Sequence, residues 1–133
     1  MDRTQCEAEI RETLGEVPVF FESLPDDALV TAWQDFKSFQ LPDTELSGKT
    51  KQLIGLGVSA ATYCPYCAYF HEKAARLLGA TDAEIEESIR MAAETRRWST
   101  YIHGLQLDMG EFRRQTDRMT DYVKRAQTAQ RAA

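Results

Sequence analysis

The sequence predicts an all-α fold of about six to eight helices. Three observations carry that expectation. Apolar residues recur at helical spacing, residues that start and stop helices punctuate the chain, and neither an alternating β-branched run nor an Asn-Gly hairpin signal occurs.

Taken in order, residues 4–15 (TQCEAEIRETLG) form a polar opening helix that Gly15 ends. A short apolar piece, VPVFFESL, follows with Pro18 near its start. Asp26 then begins DDALVTAWQDFKSF, whose Leu29, Val30, Trp33 and Phe36 share one helical face. Pro42 marks a break. The next predicted helix covers 46–62 (LSGKTKQLIGLGVSAAT), with Ser47 as its N-cap. It is apolar on most of its circumference, through Leu53, Ile54, Leu56, Val58, Ala60 and Ala61, and belongs at a domain centre or a subunit interface. Its narrow stripe of Gln52, Gly55, Ser59 and Thr62 faces either a site or another helix. Pro65 opens the following helix, which ends at Gly79. Thr81 and Glu84 form a capping box for the next, running to about Trp98 and pausing before STYIHGLQLD. Gly110 sets off a last amphipathic stretch at 111–128. The whole chain, 1–133, reads as one domain.

Composition excludes several classes. The formal charge is −5, and the basic clusters TRRW, EFRRQTDR and KRAQTAQR read as solvated helix faces, so no nucleic-acid footprint is expected. No apolar run approaches the length of a membrane span, and MDRTQCEAEIRE does not read as a signal peptide. A cytoplasmic location follows as the expectation, and there a close cysteine pair reads as redox-active or metal-binding.

That pair lies in CPYCAYFH, residues 64–71. Proline is favoured at the first helical position, which makes Cys64 the N-cap and puts Cys67 in the first turn. Free amides and the positive end of the helix dipole favour thiolate there. His71 follows Cys67 by four residues, on the same face, and suits proton exchange near neutral pH. Three readings compete: a dithiol redox site, a zinc clip and inert packing. Structural zinc takes four ligands, and Cys64, Cys67 and His71 supply three; Cys6, His103 or a carboxylate would have to complete the set. No cofactor is called for by the redox reading. Gln52, twelve residues before Cys64, is placed to reach the histidine or a water. His103 is a possible accessory residue and more ordinarily a satisfied helical histidine. Trp98 and Tyr101 read as core or interface, Cys6 as incidental, and Glu84, Glu86 and Glu87 as exposed surface.

The stretch LSGKTKQLIGLGVSAATYCPYCAYFHEKAARLLGATDAEIEESI resembles the alkylhydroperoxidase D-like (AhpD-like) core of the carboxymuconolactone decarboxylase family, over roughly residues 45–90. The family's redox branch carries Glu, eleven residues, Cys-x-x-Cys, three residues and His. Here Cys64, Cys67 and His71 match. The resemblance implies an all-helical protomer, homo-oligomers that are commonly trimers or hexamers, and a dithiol that reduces hydroperoxides or recycles a peroxiredoxin-type partner. It also implies a proton relay from the glutamate through water to the histidine and a cysteine. Two positions depart from the pattern. Gln52 stands at the glutamate's place and cannot accept a proton at neutral pH, so slower turnover is expected unless another carboxylate, Glu45 or Asp108, substitutes. Tyr66 replaces a histidine found between the cysteines in some relatives and puts an amphipathic ring at the mouth of the site. The decarboxylating branch lacks the cysteine pair, so its chemistry is not implied. Cys67 is expected to be the cysteine activated through His71, and Cys64 the more exposed one facing a partner. The rival expectation is a non-catalytic oligomeric protein whose dithiol senses oxidants or clips a metal.

Overall fold

The computed structural model describes residues 1–132, which form seven α-helices and one π-helical turn, with no β-strand among them. The helices are α1 (Arg3–Leu14), α2 (Val19–Glu22), α3 (Asp26–Asp35), α4 (Gly48–Ala61), α5 (Pro65–Leu77), α6 (Asp82–Leu105) and α7 (Met109–Ala132). The π-turn, Phe36–Gln40, continues directly from α3. The chain divides into two compact units, Met1–Ala93 and Glu94–Ala133.

Local chemistry sets most boundaries in the first unit. Asp2 accepts from the Gln5 amide and Gln5 returns the bond, a capping box that starts α1; Gly15, at φ 87°, closes it. Ser47 accepts from the Thr50 amide at 3.1 Å to start α4. Thr81 and Glu84 make the reciprocal bonds predicted for α6, and Glu84 also binds Lys49 of α4 at 2.7 Å. At Gly48 a Cβ would collide with the Leu41 carbonyl, so only glycine lets α4 begin this close to the end of the π-turn.

Two apolar clusters hold the unit together. Cys6, Ile10, Val17, Phe21, Leu29, Trp33 and Phe36 bury the faces of α1, α2, α3 and the π-turn, with Phe70 of α5 packed against them. Phe21 meets both Trp33 and Phe36 edge-on, at centroid distances of 5.9 and 5.5 Å. The second cluster, Leu56, Ala75 and Ile85, joins α4, α5 and α6. Cys6 is therefore a core residue on an otherwise polar helix, and burial pushes its thiol pKa up. The small hydrophobic thiol is explained by packing.

Two boundary expectations need correction. Helix α6 does not pause at Trp98 but continues to Leu105, since no residue in WSTYIH breaks the backbone ladder. It stops at Gln106, which takes the left-handed φ of 51°. Helix α7 starts at Met109 rather than after Gly110. Asp108 accepts from the Glu111 amide at 2.7 Å and is its cap, so Gly110 sits within the first turn. The polar stripe of α4, left open between a site and another helix, faces the site on α5. Gln52 and Ser59 of the polar stripe are buried, while Ile54 and Val58 are exposed. Gly55 admits the close approach of His71 on α5, and Leu56 is buried in the second cluster.

In the second unit, α7 buries none of its residues, and Glu111 binds Arg114 and Arg118. Trp98 and Tyr101, expected in a core or interface, are exposed.

Candidate functional site

The turn between α4 and α5 builds the site. Tyr63 adopts φ 58°, the left-handed conformation usually left to glycine. The Tyr63 amide donates to the Ala60 carbonyl at 3.4 Å and the Cys64 amide to the Ser59 carbonyl at 3.0 Å. These two bonds make a Schellman motif that ends α4 and delivers Cys64 as the first residue of the next element. Cys64 is extended (φ −96°, ψ 100°), Pro65 occupies the first helical position, and the Cys64 sulfur accepts from the Cys67 amide at 3.3 Å. One residue thus terminates a helix with its N–H and caps the next with its sulfur.

Cys64 and Cys67 are joined as a disulfide, with Cα atoms 5.4 Å apart, inside the range a disulfide spans. Cys64 is half-buried and Cys67 exposed. This reverses the expected order of exposure.

His71 lies one turn beyond Cys67. Its Nδ1 is 2.8 Å from Oε1 of Gln52, and Nε2 of Gln52 donates to the Gln40 carbonyl at 2.8 Å. Gln52 is 1% exposed, so the π-turn, α4 and α5 meet in one buried hydrogen-bonded line. The imidazole is wedged between Phe70, edge-on at 5.5 Å, and Gly55, where a Cβ would lie 2.6–2.8 Å from Cε1, Nδ1 and Nε2. Burial holds the His71 pKa below its ordinary value of 6.5, keeping the ring neutral near neutral pH.

Of the residues singled out from sequence, the structure brings Cys64 to Cys67 and Gln52 to His71. Tyr66 is 86% exposed beside the cysteines, and Tyr63 and Tyr69 flank it, also exposed. His103 falls in the second unit, exposed in the last turn of α6. Of the candidate substitute carboxylates, Glu45 is exposed in the loop before α4, and Asp108 caps α7 in the second unit. Sequence reasoning placed Gly55 on the stripe without its contact to His71, and it missed the Gln40 carbonyl. Gly55 follows Gln52 by three residues on the same helical stripe, a signal that was available. A backbone carbonyl leaves none. Among the described residues, no three His, Cys, Asp or Glu side chains converge as metal ligands.

Fold and site together define an all-helical protein with a dithiol–disulfide pair at a helix N-terminus and a half-buried histidine on the same helix. The chain belongs to the carboxymuconolactone decarboxylase family, which it matches over residues 27–107. It is similar to the crystal structure of an alkylhydroperoxidase AhpD core from Rhodospirillum rubrum. The TM-score is 0.71 and the identity 26%, over 80% of this chain and 81% of that one. It also matches a carboxymuconolactone decarboxylase family protein from Legionella pneumophila, at TM-score 0.48 and 27% identity over 69% of this chain and 78% of that one. A 61-residue segment is 46% identical to "Uncharacterized protein 4 in cox locus" of Paracoccus denitrificans. That segment is 46% of this chain and spans about half of the relative, 55% of its length.

Proposed function

We propose that this chain is a thiol-dependent oxidoreductase that reduces hydroperoxides, or recycles a peroxiredoxin-type partner, by cycling Cys64 and Cys67 between dithiol and disulfide. The observation that carries the reading is the Cys64–Cys67 disulfide at the first turn of α5, one helical turn from His71. Similarity to an alkylhydroperoxidase core supports the substrate class.

In the peroxidase cycle, the Cys67 thiolate attacks one peroxide oxygen and the O–O bond breaks. The alcohol leaves with a proton, and the sulfur becomes a sulfenic acid. Cys64 then attacks that sulfur, the S–S bond forms, the S–O bond breaks, and hydroxide leaves with the Cys64 proton as water. Two electrons have passed from the dithiol to the peroxide. A donor dithiol restores the pair by exchange and departs as a disulfide. The helix N-terminus favours the thiolate, and neutral His71 serves as the acceptor that takes the thiol proton and returns it to the alcohol. Exposure of Cys67 and its register with His71 support it as the attacking cysteine; half-buried Cys64 resolves.

The chain is further proposed to act in the cytoplasm, as a homo-oligomer of the trimeric or hexameric kind its resemblance implies. A second reading, a sensor that oxidises once, is favoured by one observation: the Gln52 amide beside His71 cannot take up a proton.

The test is a thiol count on reduced protein treated with an organic hydroperoxide, followed by turnover with excess dithiol. The peroxidase reading expects two thiols lost per chain and many peroxides consumed. Cys67→Ser should abolish consumption, and Cys64→Ser should leave a trappable sulfenic acid on Cys67. A single oxidation without turnover gives the sensor reading; thiols that survive peroxide overturn both.

A further inference from the structure

We infer that Gln52 is a positioning residue that locks His71 as its Nδ1–H tautomer, with the Gln40 carbonyl setting the amide's orientation and Gly55 providing the slot that holds the ring. This deepens the oxidoreductase reading and rests on it for its catalytic meaning, though the lock itself is a matter of hydrogen-bond logic.

A backbone carbonyl only accepts. The atom of Gln52 that lies 2.8 Å from the Gln40 oxygen must therefore be the NH₂, and the amide has one orientation. Its other end, Oε1, can only accept, and it lies 2.8 Å from Nδ1 of His71. Nδ1 must then carry the proton. In the neutral ring Nε2 is left as the basic nitrogen. An unconstrained neutral imidazole favours the opposite tautomer, with its proton on Nε2, so the site works against the intrinsic preference.

The lock is built to resist rearrangement. Gln52 is buried, so an amide flip would bury two mismatched contacts: NH₂ against Nδ1–H, and oxygen against oxygen. The ring cannot slide away from Gln52 on the α4 side, because it lies against Gly55 where even a methyl group would overlap it. Phe70 closes another side. The π-turn matters too. The Leu41 amide reaches back five residues to the Phe36 carbonyl, and the Gln40 carbonyl at the turn's end takes its bond from the Gln52 side chain.

The same geometry explains why an amide suits this position. A carboxylate here would set one oxygen against the Gln40 carbonyl, a contact that only an added proton can bridge. Glutamine meets both neighbours without one. The residue matches its pocket and is not simply a glutamate deprived of its charge.

The experiment is nitrogen NMR on reduced protein labelled at the histidine ring, at a pH where His71 is neutral, with His103→Gln as the background to leave one signal. The expected wild-type spectrum has a protonated Nδ1 and an unprotonated Nε2. Gln52→Leu is expected to shift the pattern towards a protonated Nε2. Gly55→Ala, which displaces the ring with Gln52 intact, should do the same. Gln52→Glu keeps an acceptor opposite Nδ1 and should retain the wild-type pattern, which a general loss of packing would not do. A protonated Nε2 in the wild type, or an unchanged pattern in Gln52→Leu, overturns the inference. No peroxide enters this measurement, so an inactive wild type with the expected spectrum counts against the peroxidase reading and not against the lock.

Discussion

At the scale of single residues, His71 has a measurable thermodynamic signature. Burial lowers its pKa in the folded chain from the ordinary 6.5. Above pH 6.5 both folded and unfolded chains hold it neutral, and it adds no pH dependence. As pH falls below 6.5 the unfolded chain takes up a proton that the folded chain refuses, so stability falls with it until the folded ring also protonates. Urea unfolding of the oxidised protein at closely spaced pH values should show this slope, and His71→Gln should remove it. A slope unchanged in the variant would assign the effect elsewhere. The carboxylates act in a separate, more acid window. Glu9 is held below the usual 4.5 first by Lys37, Glu84 by Lys49 and Glu111 by Arg118, so what they contribute is lost only as pH falls below 4.5. Glu9 Oε2 and the Trp33 indole N–H are both buried without meeting hydrogen-bond geometry.

At the scale of elements, the Schellman turn at Tyr63 carries a cost that sequence did not announce. A side chain in the left-handed region costs about 1–2 kcal/mol, part of which glycine would repay in lost chain entropy. The Tyr63 side chain is 83% exposed and contributes little packing. Tyr63→Gly should therefore stabilise the fold by ~0.5–1 kcal/mol, read as a higher urea midpoint; a lower midpoint would mean that the tyrosine ring makes contacts worth more than the strain. The contrast with other boundaries shows what was legible. Ser47, Pro65, Thr81 and Gly15 declare helix ends through chemistry that is local in sequence, and the structure places a boundary at each. The pairing of Cys64 with Cys67 was local too. Gln52 and His71, nineteen residues apart, were only candidates for contact until the packing of α4 on α5 joined them. The π-turn was invisible because FKSFQ differs little from helical sequence, and its contribution is a main-chain oxygen. What the polar stripe of α4 faces stayed open because hydropathy alone cannot reveal that Gly55 lets the His71 ring lie against the helix beside Gln52.

At the scale of the whole molecule, the distribution of apolar surface is the outstanding fact. Ile54 and Val58 of α4 are 52% and 58% exposed; Leu77, Met91, Met119, Tyr122 and Val123 are also exposed. Single exposed apolar residues are ordinary, but helices that leave whole faces uncovered gain from burying them against copies of themselves. Light scattering should return a mass above the 15.1 kDa of one chain. A mass of one chain at micromolar concentration would defeat the assembly expectation and leave those faces to another kind of partner. No helix among the described residues is long and apolar enough to cross a membrane.

The two tryptophans divide that molecule optically. Trp33 is wholly buried in the first unit, and Trp98 is 51% exposed in the second. Their emission should be distinguishable without any label: Trp33 blue-shifted and shielded from iodide, Trp98 red-shifted and quenched. Trp98→Phe would leave a fluorophore whose shift reports only the aromatic core beside Phe21 and Phe36. The native chain thus carries its own pair of probes, able to tell whether its two halves melt in one step or two.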